Sequence, residues 1–452
     1  MSLIEQIEAA GVIGCGGAGF PTHIKLKGEI RHYIVNAIEC EPLLRTDRWI
    51  SIHMALQVIR AASAVRKELG DIPCTVAVKE DYSEEIACLR AAIDSVDPGI
   101  RLYRMKGFYP AGDEQALVAE ISGQVVPPGG IPLDVGCAVN NAATLLCIFD
   151  AMNGQPFTHK YLTVNGRVGS PSVLNVPVGT SFRDCIEQAG GLLDEDCIIV
   201  AGGPMMGRRM CLAEGLSSNV DKTTSGILVL PEDGPIASAG RITVEHMRNR
   251  ARSACIQCRQ CTDMCPRYLL GHPLQPHIVM RSLAYAADLE ALYADPDMKQ
   301  ALLCCECGVC EMYACPMQLQ PRRINAMIKA ELSRGGMRYP KGEGQRDRSD
   351  AYDYRKVPSK RAAGRAGVLS WYDACGTESC QAFEPRKVTL ALKQGAGAPA
   401  QPVVQQGQRI EAGQLIAVCP EGKLGAHLHT GIGGVAGVGQ DSITITKEGS
   451  PA

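Results

Sequence analysis

Apolar and polar positions change rhythm several times along the chain, and each rhythm predicts a different kind of domain. In residues 1–150, short apolar runs such as "YIVNAIEC" (33–40) and "CTVAVK" (74–79) have the character of strands. Between and after them, "RWISIHMALQVIRAASAVRKEL" (48–69) and "DEQALVAEISG" (113–123) repeat apolar residues every three to four positions, as helices do. That alternation predicts an α/β layered domain. Residues 155–232 read differently. "YLTVNGRVGSPSVLNVPVGTSF" carries strand runs broken at Asn165-Gly166, and "RDCIEQAGG" predicts one short helix closed by Gly190-Gly191. With "CIIVAGGPMMG" (197–207) and "SGILVL" (225–230) they make a small strand-plus-helix module. Residues 240–335 are helical in period apart from two cysteine arrays, and 336–384 form a polar connector of weak periodicity. Residues 385–449 are glycine-rich, with short apolar runs ("VTLAL", "QLIAVC", "SITIT") that predict a small all-β unit. No period recurs three times, so a solenoid is not expected.

Composition narrows the class. The 452 residues are 46% apolar and 21% charged, with a formal net charge of −2. Neither nucleic acid nor an anionic membrane surface is favoured by that charge. No apolar run reaches the roughly 18–20 residues of a spanning helix. The first residues, "MSLIEQ", lack a basic n-region and a long apolar core, so a cytoplasmic location is expected. Leu3, Ile4 and Ile7 form a short apolar stripe that either packs on its own domain or targets a larger assembly.

Cysteine is the outlier, at 21 residues. "CIQCRQCTDMCP" sets Cys255, Cys258, Cys261 and Cys265 at x₂, x₂ and x₃ before Pro266, the run of two-cluster ferredoxins. "CCECGVCEMYACP" repeats it with Cys304, Cys307, Cys310 and Cys315, except that the last gap is x₄ and an extra Cys305 is present. Structural zinc usually pairs two C-x₂-C knuckles and leaves the third and fourth cysteines of each array unexplained. In the ferredoxin run the fourth cysteine serves the other cluster. Cys255, Cys258, Cys261 and Cys315 would therefore hold one [4Fe–4S] cluster, and Cys304, Cys307, Cys310 and Cys265 the second. Cys304 is preferred to Cys305 because it alone keeps the x₂ spacing. About 38 residues separate the arrays, and their helical period favours a helical two-cluster domain over a compact β-hairpin ferredoxin.

Near the N-terminus, "GVIGCGGAGFPTHIK" (11–25) contains Gly14-x-Gly16-x-x-Gly19. A dinucleotide fingerprint of this spacing needs a strand before it and a helix opening at the third glycine. Here a helical pattern (2–11) precedes it and Pro21 follows, which argues for another kind of loop. Taken with "NAIECEPLLRTDR" (36–48), "YPAGDEQAL" (109–117) and "VNNAAT" (139–144), the loop resembles the flavin- and NADH-binding subunit of respiratory complex I, and more closely the C subunit of the Rnf ferredoxin:NAD oxidoreductase. The 155–232 module resembles the family's SLBB (soluble-ligand-binding β-grasp) domain. "GQRIEAGQLIAVCPEGKLGAHLHTGIGGVAGV" (407–438) resembles its barrel-sandwich hybrid, placed here at the end of the chain. That order resembles the cobalamin reductases of propanediol-utilisation microcompartments. The resemblance implies a multidomain α/β + α protein. Its parts would be a complex I flavoprotein-like α/β FMN domain (1–150), an SLBB β-grasp module (155–232), a helical two-cluster ferredoxin domain (240–335), a connector (336–384) and a barrel-sandwich hybrid (385–449).

It further implies FMN at the glycine loop with NADH stacked above it. Gly14, Gly16, Gly17 and Gly19 would let the backbone approach the flavin, and Lys25 would counter phosphate charge. Asn36, Glu39, Asn140, Asn141 and Thr144 would bond the flavin. Phe20, Tyr109, Asp113 and Glu114 would face the nucleotide, and Glu41 and Gly112 complete the cofactor-binding set. The family pattern has Asp where this chain has Ile38, and Glu where it has Asp113. The activity implied is transfer of electrons from NADH to a one-electron acceptor, chiefly the cobalt of a corrinoid, with no side-chain nucleophile. The partners it suggests are a cobalamin-handling enzyme and microcompartment shell proteins. Two alternatives stay open: an NADH oxidase module recycling NAD⁺ to a ferredoxin, flavoprotein or shell cluster, and a non-enzymatic SLBB scaffold docking a cobalamin enzyme. Oligomeric state is also open.

Overall fold

The computed structural model describes residues 1–448; Gly449, the last residue of the expected β unit, lies outside them. The N-terminal domain is built on four parallel strands, β1 (His32–Asn36), β2 (Cys74–Lys79), β3 (Arg101–Met105) and β4 (Cys137–Asn141), in the order β3-β2-β1-β4. A parallel sheet is covered on both faces, so its inner strands read as unbroken apolar runs; every residue of β2 is buried. Alternate residues of β1 serve two cores. Tyr33 and Val35 pack with the helices Ala55–Glu68, Ser83–Val96 and Ala142–Met152, whereas Ile34 packs with the helix Glu114–Ser122. Strand order reverses between β1 and β4, and there Asn36 and Asn141 are register partners at the carboxyl ends. Ligands of open α/β sheets bind at such a point.

Five strands of the next module, β5 (His159–Gly166), β6 (Ser172–Pro177), β7 (Cys197–Ala201), β8 (Arg208–Cys211) and β9 (Gly226–Pro231), form a mixed sheet around the helix Phe182–Gln188. A sixth strand, β10 (Cys380–Ala382), joins its edge from the connector and pairs with β6. The cysteine arrays then lie among the helices Val244–Ala254, Pro276–Tyr285 and Pro321–Arg334, which share one apolar core. At the end of the chain the expected β unit is present as a four-stranded and a three-stranded sheet. Its core is continuous with that of the N-terminal domain: Val388, Leu390, Ile416 and Ile443 belong to the same buried cluster as Val35 and Val58.

The connector 336–384 is far from a loose tether. The backbone N–H of Tyr109 donates to the Val357 carbonyl at 2.7 Å, Lys356 pairs with Glu120 at 2.6 Å, and Ala362 and Ala363 are fully buried. Its anchors are small or isolated residues, which leave no periodic trace. The N-terminal stripe is also accounted for, since Ile7 is buried and Leu3 and Ile4 pack against the same core.

Two contacts pin the C-terminal unit onto the glycine loop. The Ala396 N–H donates to the Gly19 carbonyl at 3.1 Å, and a Cβ on Gly19 would come within 2.7 Å of the Gly395 Cα. Behind the loop, the fully buried Lys222 ammonium donates to the Gly11 carbonyl at 2.7 Å and the His427 carbonyl at 2.8 Å. One side chain thus joins three domains. Burial pulls Lys222 down from 10.5 to about 7. Between those pH values the unfolded chain holds the extra proton, so this group's contribution to stability rises with pH; below about 7 both states are protonated and the burial penalty is complete. Thermal unfolding from pH 7 to 10 is therefore expected to show wild type gaining on Lys222→Met as pH rises. A constant difference between them would contradict the assignment.

Candidate active site

At the carboxyl ends of β1 and β4 lies a cavity of about 510 Å³, within the ordinary range for a cofactor site. Gly14, Gly16, Gly17, Gly19 and Phe20 line it, together with Lys25, Asn36, Glu41, Gly112, Asp113, Glu114, Asn140, Asn141 and Thr144. The glycine loop is closed by a hydrogen bond from Gly14 N–H to the Phe20 carbonyl at 2.9 Å. It precedes the first strand and follows the helix Leu3–Ala9, so it is not a strand-to-helix dinucleotide turn. Gly17 has φ +129°, and a Cβ there would meet nothing within 4 Å. A backbone that only glycine adopts readily is thus left open for close approach of a ligand.

The polar side chains fall into two groups. Lys25 reaches over the end of β4, donating to the Val139 carbonyl at 2.8 Å and pairing with Glu114 at 3.0 Å. This is a cation at the mouth of the crevice. Others hold the cradle itself. Asn36 accepts from Ile38 N–H and donates to the Gly112 carbonyl, both at 3.0 Å. Asn141 caps the following helix at Ala143 N–H and donates to Asp47 at 2.8 Å. Thr144 accepts from the Cys15 N–H at 3.0 Å, tying the glycine loop to that helix. Asn140 accepts from the Tyr33 hydroxyl at 3.3 Å.

Three expectations need correction. Glu39 does not line the cavity; it is buried behind it, accepting from Asp47 N–H at 2.9 Å. Burial and the Asp47 carboxylate raise it well above the usual carboxylate range. Tyr109 does not face a nucleotide: it is 1% exposed, and its hydroxyl lies 2.8 Å from Glu41 Oε1 and 2.7 Å from the Cys307 carbonyl oxygen. Asp113 touches the cavity, but its carboxylate caps the helix Glu114–Ser122 and is gripped by both terminal nitrogens of Arg267 at 2.6 and 2.9 Å. Burial opposes its ionisation, yet the guanidinium outweighs that and holds Asp113 below its usual range.

Residues unforeseen from local pattern complete the site. Arg267 follows Cys265-Pro266 in the first array, Met206 comes from the β7–β8 loop, and Cys305 and Cys307 reach the cavity from the second array. Glu41, at their junction, accepts from Met205 N–H at 2.8 Å and from Tyr109. Burial raises it to about 7 against those hydrogen bonds.

The arrays themselves show the expected cross-pairing. Cys255, Cys258, Cys261 and Cys315 line one small hollow, although Cys315 belongs to the second array. Conversely, Cys265 packs with Cys304 rather than with its own array. Left-handed backbone falls at Gln257 and Arg259 in the first array and at Glu306 and Gly308 in the second. This equivalence aligns Cys304, not Cys305, with Cys255. It also accounts for the longer last gap. Cys261 lies on an α-helical turn, Gln260–Asp263, whereas Val309–Ala314 is a π-helical turn. A π turn absorbs one extra residue per turn, so Cys315 is carried to the corresponding place. The hollow and the cross-paired thiols fit two cubane clusters, with backbone N–H groups of Glu306 and Leu319 each 3.3 Å from the sulfurs of Cys304 and Cys315.

Set against known families, residues 7–150 match the Nuo51 FMN-binding domain, 161–209 the SLBB domain, 254–320 the 4Fe-4S dicluster domain and 377–448 the RnfC barrel sandwich hybrid domain. The fold and these domains define an NADH-dependent flavo-iron–sulfur oxidoreductase of the RnfC-like class, with FMN and [4Fe–4S] clusters as cofactors. Cobalamin reductase PduS of Citrobacter freundii is 40% identical over 449 residues, 98% of this chain and 96% of that protein. PduS of Salmonella typhimurium is 40% identical over 453 residues, with the same coverage. The RnfC-type component of the Na⁺-translocating ferredoxin:NAD⁺ oxidoreductase complex of Acetobacterium woodii is 32% identical over 271 residues, 59% of this chain and 58% of that one. The chain belongs to the cobalamin reductase PduS family. No helix among the described residues is long and apolar enough to cross a membrane.

Cross-ligation makes a direct prediction for electron paramagnetic resonance of the dithionite-reduced protein. Cys265→Ala is expected to remove the same cluster signal as Cys304→Ala, and about half of the roughly eight irons of two cubanes. Cys315→Ala and Cys258→Ala should remove the other signal. Cys265→Ala grouping with Cys258→Ala would contradict the pairing.

Proposed function

We propose that this chain reduces the cobalt of a corrinoid, cob(III)alamin or cob(II)alamin, with electrons from NADH. The observation that carries this reading is a shared wall: Cys305 and Cys307 line the same cavity as the glycine loop. FMN bound in that cavity would supply conversion of a two-electron hydride donor into single-electron steps, and the two clusters would supply the one-electron relay.

The chain's own residues divide the remaining work. Gly14 to Gly19 offer backbone without side-chain bulk, and Lys25 offers a cation at the strand ends, where a phosphate would lie. Asn36, Asn141 and Thr144 keep the cradle in shape, while Asn140, Glu114 and Phe20 present the remaining wall. Glu41, raised to about 7, can hold or release a proton at the cavity wall near neutral pH. The arrangement also has a direction. Cys265, Cys307 and Cys310 are buried on the cavity side, whereas Cys258 is exposed and Ile256 beside it is 62% exposed. This contrast supports electron entry at the Cys304–Cys310 side and exit to the acceptor at the Cys255–Cys261 side. A setting within a bacterial microcompartment, alongside a cobalamin-handling enzyme or shell proteins, rests on the family resemblance; the packed N-terminal stripe contributes nothing to it.

Anaerobic titration tests the reading. NADH is expected to bleach the flavin absorbance of the purified holoprotein, and catalytic protein should then convert cob(III)alamin to cob(II)alamin. Reduction of dyes with both corrinoids left unchanged would refute the acceptor, and a protein isolated without flavin after anaerobic purification would refute the enzyme. Lys25→Ala is expected to weaken FMN retention about tenfold, the scale of one charge-assisted hydrogen bond, measured by flavin released on dilution.

A further inference from the structure

The β7–β8 connection, Gly202–Gly207, reads "GGPMMG", and its two methionines are treated in opposite ways. Met205 is fully buried in the core that includes Leu43, Leu44, Tyr109 and Cys307. Its N–H bonds Glu41, and its carbonyl oxygen lies 3.3 Å from where a Cβ on Gly308 would sit. The loop can lie this close only because residue 203 is glycine: any Cβ there would overlap the Glu41 side chain. A hydrogen bond from Gly207 N–H to the Gly203 carbonyl at 2.8 Å then closes the turn. The neighbouring Met206 is consequently held out of the core. It is 47% exposed and lines the 510 Å³ cavity. Ile131, from the flavin domain, is 55% exposed and lines the same cavity. Single exposed apolar residues are ordinary on a protein surface, but two on one cavity, supplied by two domains and one of them locked in place, mark a surface for an apolar ligand face.

We propose that the SLBB loop is part of the nucleotide site, with the Met206 thioether packing against the planar ring of the nicotinamide dinucleotide and Ile131 completing the apolar surface. This rests on the cavity being the flavin and NADH site. The glycine loop and Lys25 serve the phosphate-bearing side of that site; Met206 serves a ring without charge. An unbranched, polarisable thioether suits a flat aromatic face. Because Met205 and Met206 are adjacent in one rigid turn, occupancy of the nucleotide site is mechanically tied to the seat of the SLBB module on Glu41.

The test uses the oxidised holoprotein, with FMN and both clusters, titrated anaerobically with NAD⁺ and followed by perturbation of the flavin absorbance. Met206→Ala is expected to bind NAD⁺ about tenfold more weakly and Met206→Leu within about threefold of wild type, the range set by sulfur–aromatic packing and buried apolar area. FMN content and both cluster signals should be unchanged, and in turnover KM for NADH should rise with little change in kcat, as for loss of uniform binding. Leu193→Ala, on the same module and 66% exposed but away from the cavity, serves as the control and should bind as wild type does. Unchanged NAD⁺ affinity in Met206→Ala, or loss of flavin instead of nucleotide, overturns the inference and leaves the proposed function standing. A wild-type holoprotein that neither binds NAD⁺ nor is reduced by NADH overturns the functional reading itself.

Discussion

The Glu41 carboxylate, buried where three domains meet, is bonded by the Tyr109 hydroxyl of its own domain and by the Met205 N–H of the SLBB module. The same tyrosine hydroxyl donates to the Cys307 carbonyl of the cluster domain, at 2.7 Å. A buried carboxylate without partners is expensive, and so is an unpaired carbonyl, so the three domains satisfy one another only in this arrangement. Electron transfer makes that geometry matter. A flavin cavity and a cluster are useful to each other only at a fixed short separation, and here the ligand loop of the cluster forms part of the cavity wall. The Asp113–Arg267 pair repeats the device on the other side, linking a cavity residue to the residue two past Cys265. The connector straps the outside through Val357 and Lys356.

The C-terminal unit illustrates how contact can outlast chain order. A barrel-sandwich hybrid placed last in the sequence nevertheless packs against the glycine loop near the start, through Gly395 on Gly19 and His427 on Lys222. Supporting the loop from behind requires a surface in the right place, wherever in the chain it is encoded. Similarly, the x₄ gap of the second array and the x₃ gap of the first reach equivalent ends because a π turn takes up the added residue.

What could be read from the chain was what local chemistry encodes. Unbroken apolar runs marked β1 and β2, helical spacing marked the helices at 55–68 and 114–122, and cysteine spacing marked both arrays. The glycine loop and the Asn140-Asn141 pair were legible as a cradle because they sit at the ends of elements that adjoin in the sheet. Tyr109, Glu39 and Asp113 were placed at the right address but given the wrong neighbours, since their partners come from Cys307, Asp47 and Arg267, up to about two hundred residues away. Met206 showed no local signal at all; its exposure follows from a turn locked against another domain. Long-range polar contacts have no periodicity, and a single sequence carries no trace of them.

The arrangement as a whole depends on electrons entering through the Cys304–Cys307–Cys310–Cys265 cluster before reaching the other. Rapid-freeze electron paramagnetic resonance after mixing holoprotein with NADH, in variants lacking one cluster each, measures this directly. In Cys258→Ala the Cys304-side cluster is expected to be reduced at the wild-type rate, whereas in Cys304→Ala the surviving Cys255-side cluster should stay oxidised on the same timescale. Reduction of the Cys255-side cluster at the wild-type rate in Cys304→Ala would contradict the account.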